Sequence, residues 1–237
     1  MKPRTFVVCH GAWSAAWAWK KVRPLLRAKG HEIFTPTNTG LGERAHQTGP
    51  GVDLEMHIAD VLGVIEMEDL EGVVLIGHSY GGMIATGVAD RARDRIAQVI
   101  YVDAHVPGDG QSLQDITPGR PLNGPAPFTP GGAQQDWLMA PNASPSDTSQ
   151  EDLAWIAPRR KPQSKATFTQ KLILRNGPLK LPRAYVHCTK KDGPDVFAQY
   201  RRFKDDPAWV FVEMDASHSP NVTAPEALVD VLLGLVR

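Results

Sequence analysis

Short runs of consecutive apolar residues alternate along this chain with stretches in which apolar positions recur every three or four residues. The runs fall at residues 5–10, 33–34, 73–76, 97–102, 183–188 and 209–214, too short for helices and apolar enough for strands buried on both faces. Helical spacing fills the intervals. Residues 17–29 form one such segment, closed by Gly30, and Asp53 caps another that carries Leu54, Ile58, Val61, Leu62 and Ile65. A third starts near Tyr80, a fourth spans about 196–203, and the last runs from Pro225, a favourable first-turn residue, to Leu235. Alternation of this kind predicts an α/β fold: a six-stranded, mostly parallel sheet with helices on both faces.

The rhythm breaks between the fourth and fifth strands. Residues 105–182 hold 12 of the chain's 20 prolines, which bar sheet strands from most of the segment and keep helices short. A free linker is the plain alternative, but Phe128, Trp137, Leu138, Met139, Trp155, Ile156 and Phe168 are too many large apolar groups for one. The expected organisation is therefore one core, residues 1–104 and 183–237, with 105–182 inserted as a lid.

Composition narrows the function. The chain of 237 residues is long enough for a large core without metals or disulfides. It balances 26 basic against 26 acidic residues, which offers nothing to nucleic acid or an anionic membrane surface. Cys9 and Cys188 both lie in predicted strands and read as small core hydrophobes. No apolar leader follows the first residues and no run approaches a membrane span, so a cytoplasmic, soluble protein is expected. The oligomeric state is left open, a homodimer being one option.

Candidate chemistry gathers where the third strand ends. Gly77-His78-Ser79-Tyr80-Gly81 joins that strand to the following helix, the context in which G-x-S-x-G makes a nucleophile elbow. A serine hydroxyl needs a base, and His218 follows the last strand; the base in turn needs a carboxylate to orient it. Asp192, after the fifth strand, gives the chain order serine, acid, histidine. Asp103, closing the fourth strand, is the alternative acid, while Asp195 reads as a helix cap. The backbone N–H groups of Tyr80 and Ala12 are the candidate oxyanion donors, with His10 holding the loop that carries Ala12. His78 is expected to point away from the substrate. Gly11, Trp13, Phe128, Trp137, Leu138 and Trp155 are the candidate substrate-binding residues, the lid members among them serving equally well as packing. The histidines are scattered without ligand spacing, so no metal or organic cofactor is expected.

His10-Gly11-Ala12-Trp13 with Trp17 and Trp19, Gly77 to Gly82, and Ser217-His218 together resemble the α/β-hydrolase superfamily. The chain is similar to the branch that holds plant methyl-ester esterases, plant hydroxynitrile lyases and bacterial carboxylesterases of the pyrethroid type. Gly40-Leu41-Gly42-Glu43-Arg44-Ala45-His46 and residues 155–169 resemble the bacterial members. The resemblance implies the α/β-hydrolase fold and a serine esterase acting on a neutral, hydrophobic, small-molecule ester through an acyl-enzyme. Resembling lyases carry threonine where this chain has Gly11, and lysine directly after the catalytic histidine, where it has Ser219. Hydrolysis is thus favoured over carbon–carbon lysis. A receptor that keeps the fold and turns over slowly is the remaining alternative.

Overall fold

The structure is a computed structural model that describes residues 2–119 and 136–236. Its centre is a six-stranded sheet of β1 (Thr5–Cys9), β2 (Glu32–Phe34), β3 (Val73–His78), β4 (Ile96–Val102), β7 (Arg183–Cys188) and β8 (Trp209–Met214). The order is β2-β1-β3-β4-β7-β8 and every neighbouring pair is parallel. β3 and β4 occupy the middle, which is why their sequences are almost unbroken apolar runs.

Successive side chains sort onto opposite faces. Val7, Val73, Leu75, Val99 and Tyr101 face the helices α2 (Leu54–Met67) and α3 (Gly81–Arg91). Phe6, Val8, Val74, Ile76 and Ile100 face α1 (Val22–Ala28) and α7 (Pro225–Leu235). Cys9 and Cys188 are free and buried within these layers, as small core residues should be. The first predicted helix is shorter than its pattern. A single 3-10 turn, Ala16–Trp19, precedes α1, since Pro24 fits only a first helical turn. The segment predicted at 196–203 is likewise a 3-10 stretch, Ala198–Asp205.

Between β4 and β7 the described residues form small elements: α4 (Leu113–Ile116), β5 (Leu138–Met139), α5 (Gln150–Ile156), β6 (Gln163–Ser164) and α6 (Ala166–Thr169). β5 and β6 pair as a two-stranded antiparallel ribbon. The return path is no loose loop. Phe168 and Leu172 are buried in the α2/α3-side core, Leu174, Leu179 and Leu181 pack against it, and Arg175 and Asn176 donate their backbone N–H groups to Asp90. Val99 stands opposite Arg183, so the chain leaves one end of β4 and comes back alongside its middle. The insertion therefore serves as the crossover that a helix would otherwise make between parallel strands.

Candidate active site

The strand-turn-helix at Ser79 is built by close approach. A Cβ on Gly81 would lie 2.0 Å from the Cys9 carbonyl oxygen, so only glycine lets α3 start against β1. Ser79 itself is left-handed, at φ 55°, a conformation that costs a non-glycine residue energy and lifts its side chain out of the sheet. Its carbonyl accepts the N–H groups of Gly82 and His105, both at 3.1 Å, which pins the turn. Trp13 (φ 57°) and Asp103 (φ 41°) are left-handed as well. Three strained residues thus meet at one rim of the sheet.

The expected base is in reach. His218 Nε2 lies 2.9 Å from Ser79 Oγ, and its Nδ1 lies 2.7 Å from Asp103 Oδ2. Since an ionised carboxylate only accepts, Nδ1–H donates to Asp103 and Nε2 is left to accept the Ser79 hydroxyl proton. The ring stacks on Phe197, centroids 5.0 Å apart, and meets His78 at a tilt of 35°, centroids 5.1 Å apart. His78 does not simply point away from the site: it lines the cavity and donates Nε2–H to the His218 carbonyl at 2.7 Å, holding the backbone of His218.

Asp192 is not the residue on His218. It is exposed and accepts the backbone N–H of Ser146 at 2.9 Å together with the Ser146 hydroxyl. Asp103 takes the position because β4 lies next to β3, so a residue one step past its end is already beside the elbow. The Asp103 side chain is fully buried. Its Oδ1 accepts the Cys188 N–H at 3.2 Å, and Lys191 Nζ reaches both oxygens, at 2.8 and 2.9 Å. Burial alone would push its carboxyl upward; the hydrogen bond and charge of His218, with Lys191 beside them, outweigh that and hold it below the ordinary carboxylate value.

The loop after β1 faces this group. His10 donates Nδ1–H to the Gly11 carbonyl at 3.0 Å and accepts the Asn38 N–H on Nε2 at 3.1 Å, which fixes a neutral imidazole and the loop with it. Burial pushes His10 down to about 4. Among the described residues, the backbone N–H groups of Ala12 and Tyr80 have no acceptor within the protein. A Cβ on Gly11 would come within 3.1 Å of His78 and 3.2 Å of Ser79, so a larger residue would crowd Ser79. Trp13 is clamped from the insertion: its N–H donates to Gln163 Oε1 at 2.8 Å and its indole N–H to the Met139 carbonyl at 3.1 Å.

A cavity of about 370 Å³ opens over Ser79. Gly11, Ala12, Trp13 and Tyr80 line it, joined by Leu113, Ile156, Phe168 and Phe197, with Arg160 among its polar groups. Trp137, Leu138 and Trp155 are not in its wall. Leu138 is buried in the β5–β6 ribbon, the Trp137 carbonyl accepts the Lys165 N–H, and Trp155 is spent edge-on against Trp17, centroids 5.5 Å apart. Phe128 lies outside the described residues. Phe197 and Lys191, which are not among the expected site residues, also line the cavity and lie in the same stretch as Asp192 and Asp195. Among the described residues no three His, Cys, Asp or Glu side chains are grouped to hold a metal, and no helix is long and apolar enough to cross a membrane.

The pattern of a family described as the alpha/beta hydrolase family matches residues 6–231. A carbendazim hydrolyzing esterase from Nocardioides sp. (strain SG-4G) is 39% identical, over 97% of this chain and 98% of that one. Methylesterase 8 of Arabidopsis thaliana is 27% identical over 99% of this chain and 90% of its own. Among solved structures, an extracellular alpha/beta-hydrolase from a Paenibacillus species superposes with a TM-score of 0.82 at 24% identity. It covers 99% of this chain and all of its own, a likeness of fold.

Proposed function

The chain belongs to the alpha/beta hydrolase family, and from that premise we propose that this carboxylic ester hydrolase works through Ser79, His218 and Asp103 on neutral esters with a bulky apolar part. The observation that carries the reading is the pair of hydrogen bonds on His218, 2.9 Å to Ser79 Oγ and 2.7 Å to Asp103. The cavity's apolar wall supports the substrate class.

In the acylation half-reaction, His218 Nε2 takes the Ser79 proton as Oγ attacks the ester carbonyl carbon. The carbonyl π electrons move onto oxygen, where the Ala12 and Tyr80 N–H groups hold the charge, each such donor contributing about 2.7–4 kcal/mol. Collapse of the tetrahedral adduct expels the alcohol, which leaves with the proton from His218. Water, deprotonated by the same nitrogen, then attacks the acyl-enzyme; the acid departs and Ser79 regains its proton. Asp103 keeps Nδ1 protonated throughout and stabilises the imidazolium.

Ser79→Ala is expected to lower kcat for a p-nitrophenyl acyl ester roughly ten-thousand-fold or more, with the thermal melt unchanged. Activity that survives in a folded Ser79→Ala protein contradicts the mechanism. Carbendazim, which names one relative, is the first further compound to assay.

A further inference from the structure

Lys191 stands in a position that the proposed chemistry does not use. Its ammonium contacts both Asp103 oxygens and lies 3.4 Å from Asp195 Oδ1 and 5.1 Å from the centroid of Phe197, the ring stacked on His218. The acid that orients the base thus divides its charge between an imidazole and a cation. Around this cluster, His187 approaches Asp103 at 3.9 Å and Asp195 at 3.2 Å. His78 lies tilted against the His218 ring, and Lys190 is paired with Asp215 at 3.3 Å. Among these, Lys191 is the cation in direct contact with Asp103.

We propose that Lys191 is a positioning residue: it fixes the rotamer of Asp103 that presents Oδ2 to His218, and its charge sets the acid limit of the activity profile. Two physical consequences make up this role. A carboxylate with no exposed surface, partnered only by a neutral imidazole and the Cys188 N–H, is costly to keep ionised, and the ammonium offsets that cost. The same ammonium opposes a second positive charge on His218, so the imidazolium gains less from Asp103 than an unshared carboxylate would give. Lys191 also lines the cavity, but its ammonium is already engaged by two carboxylates, Asp103 and Asp195.

This inference rests on the proposed roles of Ser79, His218 and Asp103, so its test must separate the two. The readout is the pH dependence of the second-order rate at which a fluorophosphonate labels Ser79. The Ser79 oxygen displaces fluoride at phosphorus with His218 as base, and no knowledge of the natural ester is needed. Labelling of wild type that Ser79→Ala does not abolish overturns the site itself. With that established, Lys191→Met is expected to move the acid limb up by about one pH unit and to lower the plateau about tenfold. Lys191→Arg, which keeps the charge, is expected to leave the limb within about 0.3 unit while lowering the plateau. A Lys191→Met limb that stays put, however far the plateau falls, reduces Lys191 to a structural prop. Should Lys191→Met not fold, a Lys191→Arg limb displaced by about one unit overturns the proposal by itself.

Discussion

At the scale of single residues, the identity of the acid is the sharpest question, and it is where sequence and structure part. Asp192 satisfied the chain order, yet it bonds Ser146, while Asp103 bonds His218 at 2.7 Å. The signal for Asp103 was a lone acid closing the apolar run of β4, a place where an unpaired carboxylate is costly. What no sequence rule supplies is which of two rim loops brings its carboxylate to the ring. Asp103→Asn is expected to lower kcat by about a thousandfold or more, since the amide no longer enforces the working tautomer; Asp192→Asn should stay within about twofold. Steady-state kinetics on one activated ester decides between them, and the reverse ranking restores Asp192. That Ser79, His218, Gly11 and the Ala12 loop come together was legible, by contrast, because each sits in a strand-turn-helix or at the end of a strand.

Among elements, the six strands were readable from apolar runs alone, and the insertion was not. Its helices α4 and α6 span four residues each and its ribbon pairs two residues with two, too short for any period to register. Side-chain assignments inside it failed for the same reason: whether Trp155 meets Trp17 or the substrate depends on tertiary packing. One contact between elements has a measurable role. Gln163 of β6 accepts the Trp13 N–H and donates to Thr167 Oγ1 at 2.8 Å, so the insertion braces the loop that carries Ala12. Gln163→Ala is expected to reduce kcat about tenfold to a hundredfold by loosening that loop, with a smaller effect on KM. Unchanged kcat would mean the loop holds itself.

Across the whole molecule, buried neutral histidines tie stability to pH. Burial brings His10 and His57 down to about 4 and His78 to about 3. His57 donates Nε2–H to the Thr39 carbonyl and accepts the Tyr80 hydroxyl on Nδ1, so it too is used as a neutral ring. In the unfolded chain each takes a proton near pH 6.5. Between about pH 6.5 and 4 the unfolded state therefore binds protons that the folded state refuses, and stability falls as pH falls. Each histidine contributes a slope of about 1.4 kcal/mol per pH unit. Tm is expected to drop by about 10 °C or more between pH 7 and pH 5, and His57→Gln to flatten the decline. A Tm independent of pH across that window refutes the assignment. Asp103 adds nothing there, because its lowered carboxyl is titrated only below the ordinary carboxylate range.

The route by which the insertion returns to β7 has a practical corollary for protein engineers. Phe168, Leu172 and the leucines after them roof one side of the central β-sheet, so segment 105–182 is not a detachable module. A graft has to keep Leu113, Ile116 and Met139, which sit in the same core, and Gln163, which holds Trp13, along with Phe168 and Leu172. One that exchanges the entire span strips the scaffold's cover and should yield aggregates instead of altered catalysts.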